Sequence, residues 1–195
     1  MGPYDTIRFR DGKISSVHSP GELFSDEEIV EKKPIIKTEY LFYKVDVQIP
    51  IYYTEHNKPI LQQQASRSCT AAATAMLILD HKKNINAQSL DSRNLGNDKD
   101  MLGDLSGAGL NPQVINMNNK KDLKELSERI KQNGSAATTL MGRVGAHEVV
   151  VDEVSPDLEK IRLRDPYHGW EITVKKEAFL DEWVGTKLIQ VTNRL

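Results

Sequence analysis

Gln62-Gln63-Gln64-Ala65-Ser66-Arg67-Ser68-Cys69-Thr70-Ala71-Ala72-Ala73-Thr74-Ala75-Met76-Leu77-Ile78-Leu79-Asp80 runs a polar loop straight into an alanine-rich apolar helix, with the chain's one cysteine at the join. In the first turn of a helix the backbone N–H groups lack intrahelical acceptors, and the positive end of the helix dipole favours a thiolate. Ala72, Ala75, Met76 and Leu79 recur at helical spacing. The small residues Ala71 to Ala75 let a helix approach neighbouring backbone closely, which places it through the centre of a domain rather than over its surface. Further along, a histidine opens a strand-like run, Ala146-His147-Glu148-Val149-Val150-Val151-Asp152, and Arg164-Asp165-Pro166 follows. Cysteine, histidine and aspartate in this order supply a nucleophile, a base and an orienting carboxylate.

Bulk properties narrow the classes. At 195 residues the chain is the size of one domain, or of one domain with an extension. Its 38% hydrophobic and 28% charged content argues against wholesale disorder. A net charge of −2 gives no field that would gather nucleic acid or an anionic membrane. One cysteine closes no internal disulfide, and no CxxC pair or Cys/His cluster has zinc spacing, so the thiol is free and no metal or organic cofactor is expected. No apolar run approaches the roughly 18 residues that span a bilayer, which predicts a soluble protein without an integral membrane segment.

The remaining chain divides near residue 58. Residues 1–58 read as an N-terminal extension, punctuated by Gly2, Pro3, Gly12, Pro20, Gly21 and Pro34. They hold β-prone pieces at 6–10 and 13–17 and a helical turn at 25–30 capped by Ser25. Their clearest strand is 40–49, where Leu41, Tyr43, Val45, Val47 and Ile49 alternate with Phe42, Lys44, Asp46 and Gln48. That strand either joins the sheet, plugs a cleft or binds a partner. Residues 59–195 read as the catalytic domain. After the cysteine helix come short helices and turns through Leu110, a short strand at 112–117, and a helix capped by Asn118 or Asn119 that runs to Gln132. Strands follow at 136–141, 148–154, 160–164 and 170–174, then a short helix at 175–184 and a strand at 186–192. Helices followed by antiparallel strands give an α+β fold, the central cysteine helix packed against a C-terminal antiparallel sheet.

Acyl transfer from a thiolate needs a base, a group to hold the base's tautomer, and donors for the developing oxyanion. Cys69, His147 and Asp165 fill the first three roles, because a hairpin brings the start of one strand beside the end of the next. The Cys69 N–H and an amide from Gln62, Gln63 or Gln64 are candidates for the oxyanion. Asp152 stands in reserve for Asp165. His168 reads as an exposed turn residue, His18, His56 and His81 as background, and Phe179 and Trp183 as core.

Gln63 six residues before Cys69, the Ala-rich helix, His147-Glu148-Val149-Val150-Val151-Asp152, Ile161-Arg162-Leu163-Arg164-Asp165-Pro166, Gly169 and Phe179-Leu180-Asp181-Glu182-Trp183 together resemble the bacteriocin-processing, double-glycine branch of the papain-like cysteine peptidases. The resemblance covers about residues 60–195 and implies a papain-like fold with Gln63 as oxyanion donor and Cys69, His147 and Asp165 as the triad. It departs where Thr70 stands in place of a glycine and Ser68 in place of an acidic or similar polar residue. A papain-like domain with its own N-terminal extension and no exporter portion also resembles secreted bacterial effectors and toxins, some of which deamidate or cross-link glutamine. The expectation is a cysteine peptidase acting on a protein or peptide, in the bacterial cytoplasm or secreted into a host or competitor cell. A glutamine deamidase or transglutaminase using the same triad stands second, and a catalytically silent binding module third.

Overall fold

The computed structural model describes residues 6–10, 13–18, 24–44, 47–64, 68–85, 98–142 and 145–192. β1 (Thr6–Arg10) and β2 (Lys13–His18) pair antiparallel as a two-stranded sheet. Ser25 opens a single turn: its carbonyl accepts from the Glu28 and Ile29 N–H groups, and the Glu28 carboxylate accepts from the Ser25 N–H at 2.8 Å. The chain then extends as β3 (Ile29–Lys32).

The single strand expected over 40–49 is instead the middle of a hairpin, β4 (Lys37–Lys44) and β5 (Val47–Tyr53), with Tyr40 opposite Pro50. Alternation continues from β4 into β5 without a break in hydropathy, so the pattern conceals the change of direction between the two strands; Val45 and Asp46 lie outside the described residues. β5 also pairs with β6 (Ile60–Leu61), which leads directly into the glutamine loop.

α1 (Cys69–Asp80) is buried at every position from Thr70 to Ile78. Six of its twelve side chains are Ala or Thr, so backbone can close in on all sides, and the helix runs through the interior rather than presenting one apolar stripe. Of the beats expected next, Leu90 and Leu95 lie outside the described residues, while Met101 and Leu105 are buried on α2 (Asp98–Gly107). β7 (Pro112–Asn116) follows. α3 (Leu123–Asn133) starts later than predicted, because Asn118 and Asn119 have positive φ and are still turning. Asp122 caps it, its Oδ1 accepting from the Lys124 and Glu125 N–H groups at 3.0 and 3.1 Å.

The C-terminal half follows the sequence pattern closely: β8 (Ala136–Gly142), β9 (Gly145–Val154), β10 (Lys160–Asp165), β11 (Trp170–Lys175), α4 (Lys176–Glu182) and β12 (Lys187–Val191). These strands, with β3 and β7, form a seven-stranded antiparallel sheet in the order β3-β11-β10-β9-β8-β12-β7. β3 therefore ties part of the N-terminal extension to the sheet edge.

Two cores flank this sheet. Val149, Val151, Leu163 and Ile172 pack with Leu126, Phe179 and Trp183 on the α3/α4 side. Ala137, Val150 and Ile189 pack with Ala72, Met76 and Met101 on the α1/α2 side, joined there by Ile49 and Ile51 of β5. β9 is covered on both faces, which explains why Val149-Val150-Val151 is a continuous apolar run in an otherwise alternating strand. Among the described residues no helix is long and apolar enough to cross a membrane.

Candidate active site

Ser68 ends the glutamine loop and Cys69 begins α1, so the half-buried thiol sits among the unsatisfied N–H groups of the first turn. No acidic side chain occupies that turn to oppose a thiolate. His147, two residues into β9, is buried and its imidazole is within hydrogen-bonding reach of Cys69. On its other side, Nε2 meets Asp165 Oδ1 at 2.7 Å. The carboxylate takes Nε2, so Nε2 carries the proton it donates and Nδ1 is left for the thiol.

Burial alone would lower the His147 pKa, but the Asp165 carboxylate outweighs it and, with Cys69, raises the pKa above the ordinary imidazole range. Burial would raise that of Asp165, and the facing His147 charge and hydrogen bond instead hold it well below the usual carboxylate range. Both directions favour an imidazolium paired with the Asp165 carboxylate on the side away from Cys69.

The loop before the helix is fastened to the turn after β10. The Gln63 N–H donates to the Pro166 carbonyl at 2.7 Å, and Gln62 Nε2 donates to the Tyr167 carbonyl at 3.0 Å. Gly169 has φ 66°, and a Cβ there would lie 2.9 Å from Gln62 Cβ, so only glycine allows this approach. Gln64 Nε2 bonds the Gln62 carbonyl at 2.8 Å. The amide nitrogens of Gln62 and Gln64 are thus both committed to backbone carbonyls, while Gln63 is buried between the nucleophile loop and the Asp165 turn.

Asp152, the reserve for Asp165, lies elsewhere. It accepts from Arg164 Nε at 2.9 Å and Nη2 at 2.8 Å, from Ser135 Oγ at 2.6 Å and from Lys58 Nζ at 3.3 Å. Arg164, fully buried, also grips both oxygens of Asp80 at 2.9 and 2.7 Å and donates to the Pro59 carbonyl. It joins the last residue of α1 to β9. Since Cys69 meets His147 and Asp80 reaches Asp152 through Arg164, α1 and β9 run side by side in the same direction.

His168 is not the exposed residue expected from the sequence. The turn closes with the Gly169 N–H on the Asp165 carbonyl, which returns the His168 side chain to Asp165, Nδ1 to Oδ2 at 3.2 Å. Trp170 Nε1 donates to the same oxygen at 3.2 Å. His56, read as background, meets the buried Glu171 at 2.6 Å, away from this group. Among the described residues no group of three or more His, Cys, Asp or Glu side chains could hold a metal.

The sequence pattern of the peptidase C39 family matches residues 57–194. The chain belongs to that family. Its members are cysteine peptidases of papain-like fold, and a peptidase acts on a protein or peptide. The crystal structure of the peptidase domain of Streptococcus ComA, described as a bifunctional ABC transporter involved in a quorum-sensing pathway, is similar at a TM-score of 0.56 and 17% identity, covering 69% of this chain and 98% of that one. The likeness supports the α+β, papain-like fold. A periplasmic domain of the EpsAB fusion protein of the Vibrio vulnificus type II secretion system gives a TM-score of 0.31 at 19% identity, over 40% of this chain and 30% of that one. No curated protein sequence matches the chain.

Proposed function

We propose that this C39 peptidase cleaves peptide bonds through an acyl-enzyme built on Cys69. His147 takes the thiol proton, the thiolate attacks the scissile carbonyl carbon, and the Cys69 N–H with the Gln63 amide receives the oxyanion. Collapse of the tetrahedral species breaks the C–N bond as the imidazolium gives its proton to the leaving amine. Water, deprotonated by His147, then releases the acid and restores the thiol. Asp165 holds the tautomer that aims Nδ1 at the sulfur. The observation that carries this reading is the 2.7 Å contact between His147 and Asp165 with Cys69 in reach of the same imidazole.

In this reading residues 59–195 are the catalytic domain, and residues 1–58 an extension whose β3 completes the sheet and whose β4–β5 hairpin supports β6 ahead of the glutamine loop. The family match favours a main-chain peptide bond over the side-chain amide of glutamine. Intact-mass spectrometry of candidate polypeptides incubated with the wild type and with Cys69→Ala tests the proposal. Chain cleavage that the variant loses is the expected result. A gain of about 1 Da per site without cleavage means deamidation instead, and unchanged substrates with an unreactive Cys69 leave a binding module.

A further inference from the structure

Asp165 accepts hydrogen bonds at both carboxylate oxygens, and those on Oδ2 are not explained by the triad alone. Oδ1 receives His147 Nε2 at 2.7 Å and the Tyr167 N–H at 2.9 Å. Oδ2 faces His168 Nδ1 and Trp170 Nε1, each at 3.2 Å. The two rings that supply these nitrogens are stacked, with centroids 3.9 Å apart and planes 12° from parallel. Lys32 Nζ of β3 lies 4.1 Å above the Trp170 ring. The ring pair is therefore held from three sides: by the carboxylate, by mutual stacking and by a cation from the sheet edge.

We propose that His168 is a positioning residue that sets the rotation of the Asp165 carboxylate and thereby the stability of the His147 imidazolium. The inference rests on the triad reading above. A carboxylate held at one oxygen can turn about its Cβ–Cγ bond, whereas donors on both oxygens fix its plane. An ionised Asp165 can only accept, so His168 Nδ1 carries the proton of that contact. Fixing the plane keeps Oδ1 on His147 Nε2, and the charge of Asp165 then acts in full on the imidazole that faces Cys69. Trp170 supplies the other donor on Oδ2 at the same 3.2 Å, so the two rings share the hold on that oxygen and loss of either donor loosens the carboxylate plane. The charged and titratable groups around Asp165 are His147 from β9, Cys69 beyond it on α1, His168 in the turn, and Lys32 from β3 over the Trp170 ring.

The test uses the whole chain and needs no substrate: the rate of Cys69 alkylation by iodoacetamide is followed against pH. His168→Phe keeps a ring to stack on Trp170 but removes the donor, and His168→Ala removes both. His168→Asn returns an amide N–H near the position of Nδ1. The expected result is that the Phe and Ala variants move the acidic limb of the profile to higher pH and cut the rate at pH 6 by about threefold or more, while Asn stays within about twofold of the wild type. Because Asn restores the profile only if the donor matters, a merely structural role does not produce this pattern. Phe and Ala profiles that superimpose on the wild type, while Asp165→Asn shifts the limb, overturn the proposal and leave the triad standing. Equal shifts for Phe, Ala and Asn also overturn it. If neither Asp165→Asn nor His147→Ala alters the profile, the triad reading itself fails and takes this proposal with it.

Discussion

Arg164 holds both carboxylate oxygens of Asp80, at 2.9 and 2.7 Å, from a position with no solvent exposure. A carboxylate at the negative end of a helix dipole is unfavourable unless a cation meets it, so this contact both neutralises the end of α1 and secures it to β9 through Asp152. Removing the cation strands two carboxylates. Arg164→Met is expected to cost about 3–5 kcal/mol of stability. Lys58→Met, which takes away only the outer, half-exposed partner of Asp152, should cost far less. Urea unfolding of the two variants decides the comparison.

Asp165→Asn should lower the turnover rate by about 10²–10⁴-fold with little change in substrate binding. The sign of its pH effect follows from the charge: Asp165 raises the His147 pKa, so its loss lowers that pKa. The step that needs imidazolium as an acid then fails at a lower pH, and the alkaline limb of kcat/KM moves down. A profile whose alkaline limb stays in place would mean that Asp165 does not act on His147.

Glu148, next to His147 and bonded by Thr139 Oγ1 at 2.8 Å, has its pKa pushed up to about 7 by burial, against the pull of Thr139 and His147. Between the ordinary 4.5 and about 7 the folded chain holds a proton that the unfolded chain has released, so stability falls as pH rises through that window. Glu148→Gln removes the loss. It should be nearly neutral at pH 4 and stabilising by up to ~3 kcal/mol at pH 8, a crossover that denaturant melts at the two pH values measure.

Gly169→Ala places a Cβ 2.9 Å from Gln62 Cβ at a φ of 66°. The left-handed conformation alone costs about 1–2 kcal/mol for a non-glycine residue. Separating the turn from the glutamine loop should also reduce kcat/KM, since the Gln63 N–H and the Asp165 turn are joined at this contact. Full activity in the alanine variant would show that the two segments need not touch.

The candidate site residues stood out in the sequence because the proposed chemistry uses rare types in telling places: one cysteine at a helix start, one histidine opening a valine-rich strand, one aspartate before a proline. The interior course of α1 was legible for a similar reason, since four alanines within five residues have few other uses. Other features depend on folding back, which letters do not display. His168 looked exposed because nothing in Asp165-Pro166-Tyr167-His168-Gly169 says that the fourth residue returns to the first; the Asp and Gly at its ends were the available hint of a closed turn. Nothing in Lys160-Ile161-Arg162-Leu163-Arg164 marks the last residue as buried, although Asp80 at a helix C-terminus was a signal that a cation must lie opposite. The β4–β5 reversal was hidden by apolar alternation that continues across it.

The parallel course of α1 and β9 bears on how this chain tolerates change in length. From Asp80 back to Cys69 a helix covers about 16 Å, and from Asp152 back to His147 a strand covers nearly the same. Both are measured from the shared anchor at Arg164, so the gap between sulfur and imidazole is the small difference of two matched spans. One residue inserted into the helix advances Cys69 by about 1.5 Å and swings it by about 100°; one inserted into the strand sends His147 to the opposite face. Insertions and deletions should therefore be excluded from 69–80 and 147–152, as from the glutamine loop and the Asp165 turn that fasten to each other, while a connection remote from the site such as that between β9 and β10 is free to vary in length.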